Sequence, residues 1–110
     1  MVEKTGILRL SLTRAEAFNA SHRVIRSLGA EITRSDDQAG LLLAKFPMTI
    51  RSAGEQLAVN LSGTDGEVLL TVTSRSSLPT TLFDFGKNIE NVRRFVTDPA
   101  FDSSVLVVSY

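Results

Sequence analysis

The sequence contains no cysteine and only one histidine, His22. Without thiolates the chain can form neither a disulfide scaffold nor a cysteine-ligated zinc site. A single imidazole leaves a transition-metal site without its usual second nitrogen ligand. We therefore predict a domain that binds no metal, needs no cofactor and folds by burying apolar side chains. The missing cysteines are compatible with a reducing compartment, and we expect the protein in the cytoplasm.

The sequence also has no excess of either charge, since 12 Lys and Arg residues balance 12 Asp and Glu residues. Nucleic-acid binders usually carry a basic excess, because the release of counterions from phosphates drives their binding. Basic residues do share faces of the two predicted helices, but solvated helices look the same. The first twelve residues hold only a short apolar stretch interrupted by Arg9, which predicts neither a signal peptide nor a membrane span.

The length and composition predict one globular domain over residues 1–110. Of the 110 residues, 43% are hydrophobic, which is enough for a core in a domain that buries roughly two-thirds of its unfolded surface. Neither an internal repeat nor a low-complexity linker divides the chain.

The first elements are predicted by periodicity. Residues 5–12 alternate apolar and polar side chains, as in a half-buried strand. Thr13 and Glu16 have the spacing of a capping box, so a helix is expected from about residue 14 to residue 28. Gly29 is well placed as its left-handed C-terminal residue.

Four strands and a second helix follow. Short turns rich in Gly, Asp and Ser separate the predicted strands 30–35, 41–50, 56–62 and 67–76. Phe85, Ile89, Val92 and Val96 then repeat at helical intervals, and Asp98-Pro99 ends that helix. Because hairpin-like links join the strands, we predict an antiparallel sheet of about five strands in the order β-α-β-β-β-β-α. Two helices cover one face, which makes a two-layer α+β fold.

The residues after the second helix form a β-prone tail, 100–110, with a possible extra strand at 104–110. An exposed apolar strand invites pairing. The tail either joins the edge of its own sheet or pairs with another chain, and the sequence leaves both alternatives open. We expect a homo-oligomer, with residues 103–110 as one route to it.

The stretch SRSSLPTTLFDFGKNIENVRRF, residues 74–95, resembles segments of small uncharacterised bacterial domains. The residues that match are Ser74, Arg75, Ser76, Asp84, Gly86 and Asn88. Together with the element order, they resemble the helix-grip and TATA-binding-protein-like folds. The resemblance implies a curved antiparallel sheet wrapped around a C-terminal helix. It also implies a place for an apolar ligand, since helix-grip proteins often hold one between sheet and helix.

Two functions are therefore expected. The first is a non-enzymatic binding or interaction module that associates with itself. The alternative is a carrier of a small apolar ligand held beneath the last helix. The candidate ligand-binding residues are Phe83, Phe85, Ile89, Val92, Arg75 and Asp84.

No catalytic constellation is recognised in the sequence, so we predict that the protein is not an enzyme. It lacks the Gly-x-Ser-x-Gly elbow of serine hydrolases and a glycine-rich phosphate loop. If it were an enzyme, Asp84, His22 and Arg75 would be the first residues to test. Asp84 is better explained as a helix cap, and His22 as a residue packed beside an apolar stripe.

Overall fold

The computed structural model describes residues 3–48, 54–77 and 86–101 and the backbone of residues 105–109. The elements along the chain are β1 (Glu3–Leu10), α1 (Arg14–Ser27), β2 (Glu31–Asp36), β3 (Leu41–Lys45), β4 (Glu55–Thr64), β5 (Glu67–Ser76), α2 (Lys87–Val96), a 3-10 turn (Pro99–Phe101) and β6 (Val105–Ser109). The described strands form one antiparallel sheet in the order β2-β3-β4-β5-β1-β6. The predicted antiparallel α+β fold is confirmed.

The alternation predicted for the strands sorts their side chains onto two faces. In β1, Gly6, Leu8 and Leu10 are buried, whereas Ile7 and Arg9 between them are exposed. β4 and β5 alternate in the same way, so one face of the sheet is mostly apolar, with Glu55, Ser74 and Ser76 as buried polar residues. We call this the covered face and the opposite one the uncovered face.

Both helices lie on the covered face. α1 packs against β2 and β4, while α2 packs against β1 and β5. The core between helices and sheet contains Leu8, Leu10, Ala17, Ala20, Val24, Ile25, Ala30, Leu42, Ala44, Leu57, Val59, Leu61, Val68, Leu70, Val72, Val92, Phe95, Val96 and Phe101. The predicted two-layer arrangement follows from this single shared core.

The ends of α1 match the capping signals in the sequence. Glu16 N–H donates to the Thr13 hydroxyl, and Thr13 N–H donates to Glu16 Oε1, both at 3.0 Å. The hairpin between β4 and β5 adds a second cap, because Asp65 Oδ1 accepts the Arg14 N–H at 2.8 Å. At the other end Gly29 has φ +87°, which is the left-handed conformation expected after a helix.

α2 is rotated relative to the predicted apolar stripe. Val92 and Val96 are buried as expected, but Ile89 is only half-buried and Phe85 lies outside the described residues. The other buried positions of the helix are Asn88, Asn91 and Phe95. Apolar periodicity could not place two buried asparagines, because amides count as polar in that pattern.

Close contact between α2 and β1 depends on Gly6. A Cβ at this position would lie 2.6 Å from Val92 Cγ1 and 3.1 Å from Val96 Cγ1. Both valines are buried, so their methyl groups have little room to move. Glycine therefore sets how near the helix can approach the strand.

Residues 105–109 pair with β1, which places the tail at an edge of the chain's own sheet. Ile7, Leu8 and Arg9 lie opposite Ser109, Val108 and Val107 in an antiparallel register. The possible extra strand of the prediction is thus part of the sheet, and it pairs within the chain. β3 in turn is shorter than predicted, since it ends at Lys45, two residues before Pro47.

Candidate functional site

A cluster of buried polar side chains lies where α2 crosses the ends of β4 and β5. Its members are Glu55, Ser74, Ser76, Asn88 and Asn91, and none is more than 6% exposed. The two serines occupy alternate positions of β5 and so share its covered face. The two asparagines are three positions apart on α2 and face them. We call this group the Asn88 cluster.

Asn88 bridges the two serines of β5. The Ser74 hydroxyl donates to Asn88 Oδ1 at 2.8 Å. Asn88 Nδ2 in turn donates to Ser76 Oγ at 3.2 Å. One amide thus fixes the first turn of α2 above two successive covered-face positions of the strand.

Asn91 extends the cluster to β4. Its Nδ2 donates to Glu55 Oε1 at 3.1 Å and to Ser74 Oγ at 3.2 Å. Among the described residues, every buried side-chain nitrogen and oxygen has a hydrogen-bond partner. Satisfied networks of this kind fix one arrangement of packed elements, because any slip would leave a buried polar group unpaired.

The cluster explains part of the Ser-Arg-Ser and Gly-Lys-Asn pattern. It brings together Ser74, Ser76 and Asn88, which the sequence had grouped. Sequence reasoning missed Glu55 and Asn91. The available signal was the pair of asparagines three positions apart, on the same side of a helix that is otherwise apolar there.

The cluster does not have the arrangement of a nucleophilic centre. Ser74 Oγ donates to one amide oxygen and accepts from another amide, so its hydroxyl is committed to the fold. The single histidine lies on α1, where its ring packs beside Phe18 with centroids 6.3 Å apart. The described part of the chain places no imidazole near these serines.

The candidate ligand-binding residues do not share one surface. Val92 is fully buried against Gly6, and Ile89 is half-buried on the same helix. Arg75 lies on the uncovered face, because its neighbours Ser74 and Ser76 are the covered-face residues of β5. Phe83, Asp84 and Phe85 lie outside the described residues.

The described side chains Val92, Phe95 and Val96 of α2 are buried against the sheet. Phe95 and Phe101 are fully buried, with ring centroids 5.5 Å apart. Three surface concavities occur elsewhere, near Arg75, near Met48 and near Phe18, and α2 lines none of these three. The carrier prediction therefore has no supporting observation in this part of the molecule.

The uncovered face carries a row of polar residues from five strands. Cross-strand pairing sets Glu31, Lys45, Gln56, Arg75 and Glu3 side by side in that order. Arg75 Nε and Nη2 both donate to Gln56 Oε1, at 3.2 and 3.1 Å. Lys45 Nζ lies 3.8 Å from a carboxylate oxygen of Glu31. We call this set the Arg75 row.

A concavity of about 500 Å³ lies beside the Arg75 row. The row supplies its charged side, and shorter side chains from the neighbouring positions form its floor. Glu3, Thr33, Leu43, Ala44, Lys45, Gln56, Leu57, Ala58, Thr73 and Arg75 line it. Sites for small molecules commonly span roughly 300–1,000 Å³, so the volume suits a small ligand.

The described residues contain no group of three His, Asp or Glu side chains placed to hold a metal ion. No described helix is both long and apolar enough to cross a membrane. Comparison with family models, with curated proteins and with solved structures found no match to this chain. The helix-grip resemblance therefore stays a prediction from the sequence.

Proposed function

We propose that this protein is a non-enzymatic interaction module that associates with a second copy of itself through β6, an edge strand of the sheet that the described residues form. The observation that supports the proposal is the position of β6 at the end of the strand order, paired on one side with β1. Its sequence, VLVVS, contains no charged residue, proline or glycine. An edge strand of this kind is a template for a further strand. We also propose that the protein acts in the cytoplasm.

The opposite edge of the sheet has the features that prevent such pairing. β2 carries Glu31, Arg34 and Asp36 among its six residues, and Arg34 lies 4.0 Å from Asp36. Its register against β3 shifts between Ile32 and Arg34, which marks a bulge. Charged side chains and bulges are the usual protection of an edge. β6 carries no charged residue to serve that purpose. Its register against β1 also shifts, between Arg9 and Leu10, so the two edges differ in charge and not in the presence of a bulge.

A second copy of the chain is the partner that we propose, because the β6 strands of the two copies can pair with each other. Two β6 strands related by a two-fold axis can pair antiparallel, so that each copy makes identical hydrogen bonds. Both sheets would then continue into one, with their helices on the same side. A five-residue strand buries less than the roughly 800 Å² per partner of a standard interface. We therefore expect an association that depends on concentration.

Light scattering coupled to size exclusion, over a wide range of protein concentration, tests this proposal. Val107→Glu is the informative variant, because position 107 lies opposite Arg9 within the chain. A glutamate there can pair with Arg9 in the monomer. In the dimer it would lie near the two-fold axis, where the same glutamate of the second copy would repel it. We expect a folded monomer with an unchanged thermal midpoint.

Thr33→Glu on β2 is the matched control, since it adds the same charge at the other edge. It should leave the association intact. A wild-type chain that stays monomeric at every concentration would contradict the proposal. So would a dimer that Thr33→Glu dissociates and Val107→Glu does not.

A further inference from the structure

We propose that the concavity beside the Arg75 row binds a small molecule that carries an oxyanion, a carboxylate or a phosphate, on a short apolar body. This site lies on the uncovered face and not on the edge used for self-association. It therefore does not depend on the proposed function.

The first argument is the charge of Arg75. Its guanidinium donates twice to Gln56, whose amide is neutral. Glu3 lies opposite Arg75 on β1. Even so, within the described part of the chain no carboxylate oxygen comes within 4.0 Å of the guanidinium. The positive charge is thus oriented by two hydrogen bonds, and none of the described carboxylates forms an ion pair with it.

The second argument is the orientation of the guanidinium. Gln56 Oε1 accepts from both Nε and Nη2, so these two donors set the plane of the group. An arginine has five N–H donors, and those on Nη1 stay available to a ligand. Oxyanions suit this geometry because two of their oxygens can accept from one guanidinium. Lys45, on the other side of Gln56 along the row, is a second cation at the same concavity.

The third argument is the floor of the concavity. Leu43 and Ala58 are cross-strand neighbours there, and both are half-buried. Thr73 lies next to Ala58, and its hydroxyl shares a 3.2 Å hydrogen bond with Thr5. The short alanine between longer neighbours creates the depression. An apolar floor beside an oriented cation fits a ligand that has a charged head and a short aliphatic part.

The charges around the site favour a small anion over a nucleic acid. Lys45 is near Glu31, and Arg34 is near Asp36, on the same side of the sheet. A polyanion needs a continuous run of cations, and these carboxylates interrupt it. One oxyanion needs only the charge of Arg75, with Lys45 as a second cation beyond Gln56.

Titration of the ¹⁵N-labelled protein at constant ionic strength, followed by NMR, tests the inference. Hexanoate and hexyl phosphate are the two probes, and they distinguish a carboxylate from a phosphate source. Acetate, inorganic phosphate and hexanol test the head group and the apolar body separately. We expect shifts centred on residues 43–45, 56–58 and 73–75. Hexanoate should bind more tightly than acetate, and hexanol should not bind there.

Gln56→Glu is the decisive variant, since it keeps the side-chain shape and places a carboxylate beside Arg75. We expect it and Arg75→Gln each to weaken binding of the preferred probe about tenfold, the effect of losing a charge-assisted hydrogen bond. Arg9→Gln, on the same face but outside the concavity, should have no effect. Thermal unfolding of each variant confirms that it is folded.

The inference would be overturned in any of three ways. One is that neither charged probe binds, and another is that hexanol binds at this place as well as hexanoate. Binding that survives both Gln56→Glu and Arg75→Gln would equally exclude Arg75 as the anion-binding group. None of these outcomes bears on whether β6 mediates self-association.

Discussion

The two helices cover the same face of the sheet but are held there by different contacts. α1 buries Ala17, Ala20, Val24 and Ile25, and its one buried polar side chain, Ser21, donates to a carbonyl of its own helix at 2.7 Å. α2 instead buries two asparagines, whose amides bond to the strands beneath.

The two kinds of contact have different consequences: apolar contacts stabilise a helix on the sheet, whereas buried amides also fix where the helix lies. Apolar contacts are non-directional, so the buried face of α1 adds stability without fixing a register, and the bond from Arg14 N–H to Asp65 holds only its first turn. Buried amides are directional, and a small shift of α2 would leave them unpaired. The first four of the following predictions compare a change at α2 with a change at α1 or at the strand below, and the last concerns the cap of α1 alone.

The largest effect is expected at the apolar contacts, where the helices should be alike. Phe95→Ala removes a fully buried ring that packs on Phe101. We expect it to lower the free energy of unfolding by about 4 kcal/mol, and Ile25→Ala in α1 by about 3 kcal/mol. Urea unfolding measures both. A loss below about 1 kcal/mol at Phe95 would mean that neighbouring side chains collapse into the space.

The second effect should distinguish the helices. Asn88→Ala leaves the Ser74 hydroxyl without its acceptor and Ser76 Oγ without the Asn88 donor, and we expect a loss of about 2–3 kcal/mol. Ser21→Ala is the matched change in α1 and should cost less than about 1 kcal/mol, because its hydroxyl bonds only within the helix. Amide hydrogen exchange should also speed up in α2 for Asn88→Ala. Equal costs at the two sites would contradict the distinction.

The third effect tests how closely α2 approaches β1. Gly6→Ala should lower stability by about 1–2 kcal/mol, since its Cβ would overlap Val92. In a Val92→Ala background the same substitution should cost clearly less, because the shorter side chain leaves room. The coupling between the two changes, measured by thermal or urea unfolding of all four proteins, reports this contact. Purely additive costs would mean that the two residues do not compete for space.

A smaller effect is expected at the start of α1, where Thr13 supplies a side-chain cap, whereas the residue at the corresponding position of α2 is Gly86, which has no side chain. Thr13→Ala should lower stability by about 1 kcal/mol. Gly86→Asn at the start of α2 should be nearly neutral, since asparagine tolerates the left-handed conformation that Gly86 adopts at φ +75°. Chemical denaturation compares the two. A large cost only at Gly86 would show that glycine has another role there.

The smallest effect is the dependence of the cap on pH. The Thr13 backbone N–H, and then its hydroxyl, hold the pKa of Glu16 below its ordinary value of 4.5. A lowered pKa means stabilisation that is complete above the ordinary pKa and is lost as the pH falls through the folded value. Glu16→Gln keeps an accepting oxygen but cannot titrate. The advantage of wild type over Glu16→Gln should therefore shrink below about pH 4.5, and an advantage unchanged at pH 3 would contradict the assignment.

Local signals accounted for much of the fold. The capping box at Thr13, the left-handed Gly29 and the alternation of β1, β4 and β5 each depend on neighbouring residues, so the sequence displays them directly. The hairpin turns depend on residues next to one another, and they predicted the antiparallel sheet. These features needed no knowledge of distant contacts.

The Asn88 cluster and the Arg75 row depend on contacts between segments far apart in the chain. Nothing local to Asn91 indicates that its amide meets Glu55, 36 positions away. Arg75 was grouped with α2 residues because they share a motif, but the strand's alternation sends it to the other face. The fate of the tail was open for the same reason, since apolar strands pair equally well with any free edge.

The place of β1 has a consequence for how the chain folds. Its first neighbour is β5, and Thr5 meets Thr73 across 68 positions of sequence. Its second neighbour is β6, further still along the chain. The strands β2 to β5 pair in order through short links and can assemble as hairpins without it. β1 must wait during synthesis for strands made much later, which is a long-range step of the kind that slows folding.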